Sequence, residues 1–201
     1  MTIFPFATST IVAQAFSLVE LSTPSSFADD SDQARDAALH WPIALDLCLE
    51  AADWSFASRM TALPLAILPI DQIPDPDLPF TYRLPGDCVI FREVKARGAT
   101  YRLDEGYLRA DLPAPLPIRY TRRVSDEGIM PAGFRAQLAL QLAILLAPRW
   151  LGPTTKRDAL VLQLDDLRAR MGRSDARTAS AQPYADDITG GGGDWVAGAL
   201  R

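Results

Sequence analysis

LPIRYTRRVSDEGIMPAGFRAQLALQLAILLAPRW, residues 116–150, reads as one strand, one polar loop and the most apolar helix of the chain. Leu116, Ile118 and Tyr120 alternate with Pro117, Arg119 and Thr121, the period-two pattern of a half-buried strand. SDEG at 125–128 breaks the alternation, and Pro131 suits a first helical turn, where its missing N–H costs nothing. From Phe134 to Ala147 nearly every turn carries Leu, Ile or Ala on more than one side. A helix apolar most of the way round must be covered on several faces, so the remaining elements are expected to pack around it.

Outward from this centre, the N-terminal side supplies two helices. Residues 9–21 place Ile11, Ala15, Leu18 and Val19 on one stripe, and TPSS ends it. Asp30 offers an N-cap with Gln33 in capping-box register. Ala34, Ala37, Ala38, Trp41, Leu45, Cys48 and Ala52 follow at helical spacing, which predicts a helix over 32–52, kinked at Pro42. This helical region is acidic: Asp29, Asp30, Asp32, Asp36, Asp46, Glu50 and Asp53 face only Arg35.

Residues 54–63 are rich in large apolar groups and lead into a connector, 64–79, whose five prolines exclude a helix. The period then changes. A strand is expected over 88–95, a turn at Arg97–Gly98, alternation through Tyr101 and Leu103, a turn at 104–106, and alternation again through Leu108, Ala110 and Leu112. With 116–124 this makes a small antiparallel unit of about four strands. On the C-terminal side Gly152 and Pro153 end the central helix, and Thr155 can cap a fourth. Leu160, Leu164, Leu167 and Met171 form that helix's narrow stripe, and its outer face is charged.

The fold expected is α+β: a four-helix bundle with a small antiparallel β lobe inserted between helices 2 and 3, plus an extended C-terminal arm. The bundle takes residues 1–63 and 131–181, the lobe 80–124 and the arm 182–201. Trp54, Phe56, Tyr120, Phe134, Leu138 and Leu142 are the expected core residues.

Composition narrows the class of protein. The chain has 201 residues, enough for a proper core, and 48% apolar with 22% charged residues marks a folded rather than disordered chain. A net charge of −5 argues against a surface built to grip phosphates. Cys48 and Cys88 have no Cys or His companions at metal-ligand spacing and read as reduced core residues of an intracellular protein. No Lys or Arg precedes the N-terminal apolar run, which argues against a signal peptide. The mostly apolar run 138–148 is too short to span a bilayer.

Catalytic constellations are scarce. His40 is the only histidine, and no nucleophile with an acidic partner assembles around it. Gly190, Gly191, Gly192 and Gly193 follow no strand and precede no Lys or Ser/Thr in register, so they read as a hinge rather than a phosphate loop. The pairs Asp29–Asp30, Asp165–Asp166 and Asp186–Asp187 would diverge by roughly 100° on a helix, poor geometry for a shared metal. Arg122–Arg123 and Arg168, Arg170, Arg173 and Arg177 have acidic neighbours and suit salt bridges or subunit contacts. No catalytic, cofactor-binding or metal-binding residue is expected, and the chain reads as a non-enzyme.

Three groups of residues occur together in order. They are Trp54-Ser-Phe56-Ala57-Ser-Arg59-x-x-x-Leu63, closing the second helix; Phe80-x-Tyr82-x-Leu84-Pro85-x-Asp87-Cys88, opening the strand unit; and Ile118-x-Tyr120, Pro131 and Phe134 before the central helix. In that order and spacing the chain resembles the tail tubular protein A family, the head–tail adaptors of short-tailed phages, with relatives in other phages and gene transfer agents. Gly193-Asp194-Trp195 is similar to the tail ends of such proteins, and the resemblance covers residues 8–201. The first helix departs from the family pattern, ending in LSTPSS where a Gly-containing turn is usual.

The resemblance implies a structural virion protein at the head–tail junction, assembled in the host cytoplasm: a ring of twelve copies beneath the portal, with genomic DNA passing through its bore unbound. Its implied partners are itself, the portal and a downstream nozzle, stopper or terminator, with no cofactor and no membrane. Asp194, Trp195, Val196 and Leu200, beyond the glycine hinge, are the expected portal-binding residues. Exposed apolar side chains gain nothing unless they bury somewhere. Two other classes stay open, a small DNA-binding regulator, for which the fourth helix is the only candidate reader, and an enzyme with an unrecognised pocket.

Overall fold

The computed structural model describes residues 9–67, 75–104, 106–152 and 154–179, with side chains through 171. It is mixed α+β, with four helices and two small antiparallel sheets of three strands each.

Helix α1, Thr10–Leu18, starts at Ser9, whose hydroxyl accepts the Val12 N–H at 3.1 Å. It stops short of the apolar pattern's end at Leu21. Glu20 takes a left-handed backbone, φ 59°. Its N–H reaches the Ser17 carbonyl and the Leu21 N–H reaches Phe16, the paired closure of a Schellman turn. Leu21 packs against the core that Phe16 enters. A glutamate thus does what the family's usual glycine does more easily, since a Cβ disfavours this region.

Helix α2, Asp32–Glu50, is capped by Ser31 and not by Asp30: the Ser31 hydroxyl accepts the Ala34 N–H at 3.1 Å. Asp30 lies one residue too early to reach that donor and instead pairs with Arg35. Pro42 sits inside the helix. At its exit the Trp54 indole N–H donates to the Cys48 carbonyl at 2.8 Å, satisfying one of the free acceptors of a helix end.

Residues 54–63 correct the sequence reading. They do not close the second helix; a 3-10 turn, Ser55–Ala57, leads into strand β1, Ser58–Leu63. Residues 58–63, expected with the helices, therefore belong to a sheet. The strand escaped notice because it is an edge strand with only Leu63 fully buried, so its sequence carries no alternation. Strand β2, Phe80–Arg83, was missed as well; four residues straight after a Pro-rich connector are too few to show a period.

The remaining strands are β3, Cys88–Val94; β4, Tyr101–Asp104; β5, Tyr107–Ala110; and β6, Leu116–Arg122. There are six strands where about four were expected. They do not form one meander: the sheets have the orders β1-β6-β3 and β2-β5-β4. Gly106, at φ 82°, supplies the left-handed residue that the tight β4–β5 turn requires. Both sheets contribute to one buried cluster, with Leu116, Ile118 and Tyr120 from β6 facing Tyr82 and Leu108.

Helix α3, Ala132–Trp150, packs against α1, α2 and the long α4, Thr154–Ala179. Phe134, Leu138 and Leu142 are fully buried along it. Leu160 and Leu164 of α4 are buried, and Leu167 and Met171 pack against the same cluster. The helical cluster and the strand cluster are separate, and polar contacts join them.

Candidate functional site

The joint between the two clusters is built from charged groups. Arg92 on β3 donates through Nη2 to the Ala52 carbonyl, just past the end of α2, and through Nε to the Thr121 hydroxyl at 2.9 Å. A guanidinium at a helix C-terminus meets both free carbonyls and the negative end of the dipole. Asp53 lies 2.6 Å from Arg119 Nη1 and 3.8 Å from Arg92 Nε, the latter an attraction and not a hydrogen bond. Arg119 also donates to Glu93 at 2.7 Å. Lys95 and Arg119, hydrogen-bonding Glu93, hold its carboxyl below the usual range against a small desolvation cost. A second link is the fork of Arg123, beyond the end of β6, on Asp46 of α2, with contacts of 2.9 and 2.5 Å.

The aromatic residues singled out in the sequence sit beside this joint. Trp54 and Phe56 both meet Phe134 edge-on, with centroids 5.2 and 4.8 Å apart. Trp54 and Phe134 are buried, whereas Phe56 is only partly so. Tyr120, buried in the strand cluster, donates its hydroxyl to Asp87, which Arg59 also approaches. The three motif groups thus converge where the chain passes between helices and strands.

The other candidates disperse. Cys48 is buried, and desolvation pushes its thiol up to about 12, against the pull of Arg168 and the Gln137 amide. Burial and the neighbouring Asp87 charge raise Cys88 to about 11. Both are protonated at neutral pH and neither is a nucleophile. Asp29 accepts from Ser25 and Ser26, and the Ser25 hydroxyl leads in lowering its carboxyl. Asp166 pairs with Arg170 one turn on, and Arg168 donates to Gln141. Among the described residues no group of three or more His, Cys, Asp or Glu stands where it could hold a metal ion. Nor, among them, is any helix long and apolar enough to cross a membrane. Gly190, Gly191, Gly192, Gly193, Asp194, Trp195, Val196 and Leu200 lie outside the described residues.

A feature the sequence reading missed is a second apolar line on α2. Ala37, Ala44 and Cys48 enter the helical core, yet Leu39, Ile43 and Leu47 remain 61%, 45% and 41% exposed. The signal was present as leucines and isoleucine at four-residue intervals, but it merged with the core stripe. Compared with known proteins, the chain matches no family model and no curated protein.

Proposed function

We propose that the chain is a structural head–tail adaptor of a tailed phage or phage-like particle, a ring subunit beneath the portal through which DNA passes. The observation that carries the reading is α2, a helix apolar on two sides with only one side covered. A subunit that must pair with neighbours presents such a face; a lone chain gains nothing from it. The ordered resemblance of residues 54–63, 80–88 and 118–134 to the tail tubular protein A family supports the same reading.

In this reading the four helices act as one bundle, the strands are a lobe inserted between α2 and α3, and residues 182–201 are an extended portal-docking arm. Gly190–Gly193 is its hinge, and Asp194, Trp195, Val196 and Leu200 engage the portal. Twenty extended residues reach about 65 Å, enough to leave their own subunit. Burying Trp195 supplies a few kcal/mol per copy, repeated round the ring as avidity. The acidic balance disfavours grip on the passing DNA.

Imaging the purified protein mixed with its portal tests the reading: a ring of twelve copies is expected at the portal's tail end. Truncation after Pro183 should give filled heads without tails, and infectious tailed particles from that variant would overturn the arm's role. Duplex DNA should show no salt-sensitive binding at physiological ionic strength; sub-micromolar affinity would favour a DNA-binding regulator.

A further inference from the structure

The uncovered line on α2 has a complement on the chain itself. Leu39, Ile43 and Leu47 recur every fourth residue, so they span about 12 Å along one side of the helix. Glu50 ends the line, exposed and with no hydrogen bond or ion pair among the described residues. The surroundings are strongly acidic: residues 9–53 carry eight carboxylates against the single Arg35, a net −7. Residues 58–124 carry ten cations against eight carboxylates, a net +2. One end of the chain therefore attracts the other end of a second copy.

Position agrees with charge. The C-terminus of α2 lies against β3, where Arg92 caps it. In the order β1-β6-β3 the opposite edge of that sheet is β1. There Met60 is 64% exposed, and Leu65, which bridges to Tyr82 of β2, is 51% exposed. Met60 to Leu65 covers about 17 Å of extended chain, matching the α2 line within a residue or two. Arg83, next to Tyr82, is exposed and makes no ion pair among the described residues. The two surfaces thus sit on opposite sides of one sheet, and each has apolar side chains ending in an unpaired charge of opposite sign.

We infer that a second copy covers the α2 line with its β1 edge, head to tail. Leu39, Ile43 and Leu47 pack on Met60 and Leu65, with Glu50 facing Arg83. Because the two surfaces differ, the contact is heterologous and leaves each pair with one free face at either end, the arrangement that repetition closes into a ring. This rests on the adaptor reading for the closure and not for the contact.

Sedimentation velocity on the full chain tests it. The wild-type mass should rise with concentration, and Ile43→Arg and Leu65→Arg, each checked for an unchanged melting curve, should stay monomeric. Mixing those two variants should give a dimer and nothing larger, since each retains the face the other has lost. Charge reversal in Glu50→Arg should weaken association at least tenfold, and Arg83→Glu on the partner should restore it. Wild-type protein that stays monomeric to about 1 mM overturns the contact, as does a mixture that fails to pair. If Ile43→Arg self-associates normally but loses the portal, the portal covers α2 and the inference is wrong. A twelve-copy ring held by other faces removes this contact alone; head-to-tail chains that ignore the portal remove the adaptor reading alone.

Discussion

The helices and the strands are held by different physics. Around α3 the core is continuous and aliphatic, with Phe134, Leu138 and Leu142 fully buried and α1, α2 and α4 covering them. The strand cluster is smaller, and its largest members, Tyr82 and Tyr120, need partners for their hydroxyls: the Leu112 carbonyl at 2.6 Å and Asp87 at 3.0 Å. Arginines multiply where the strands meet the helices, since Arg92, Arg119 and Arg123 each reach an acceptor across the joint. Apolar area carries the first region; directional contacts register the second and fix it to the first. Removing a core side chain and removing a joint side chain should therefore fail in different ways.

The largest effect is expected at Leu142→Asp. An unpaired carboxylate in the most buried helix costs more than a domain's whole stability margin. No cooperative melt should remain; a soluble variant that melts like wild type would show that α3 is not central. Ile118→Ala in the strand cluster should cost about 2–5 kcal/mol. Hydrogen exchange sharpens the comparison: strand amides should lose protection before those of α3, and equal loss would mean the two clusters unfold as one unit.

At the joint, Asp53→Asn should cost about 1 kcal/mol, because its carboxylate is more than a third exposed and solvent screens it. The pH dependence follows from Glu93. Its folded carboxyl is depressed, so its contribution is present above the unfolded carboxylate pKa of about 4.3 and lost as pH falls through the lower folded value. Acid titration should loosen the joint in that window, and Glu93→Gln should flatten the dependence. An unchanged acid limb in Glu93→Gln would place the sensitivity elsewhere. The smallest expected effect is a gain. Glu20→Gly should stabilise by about 1 kcal/mol by relieving the left-handed backbone, less the little that the exposed Lys156 pair contributes. A lower melting temperature would mean the Lys156 contact matters more than the strain.

Residues 116–150 announce a strand and a buried helix because their periods are long and unbroken, and the structure has β6 and α3 there. The α4 stripe was legible for the same reason: leucines at helical spacing on a charged helix point inward. β1 and β2 were not, since short edge strands with one partner need no alternation. Of the candidate contact residues, Leu39, Ile43 and Leu47 could be seen in the sequence but not told apart from the core stripe.

By itself the sequence determined what is local: periodicity, helix-breaking prolines, the acidic N-terminal helices and the turn at Gly106. Tertiary structure alone decided what depends on distant segments meeting. Arg92 caps a helix whose end lies forty residues away in sequence, and Arg123 forks onto an aspartate seventy-seven residues away. Ser31 rather than Asp30 caps α2 because hydrogen-bond geometry, not residue type, selects between neighbouring acceptors. Which apolar side of α2 is covered is fixed by where α3 packs, and periodicity records only that a side is apolar, never what lies against it.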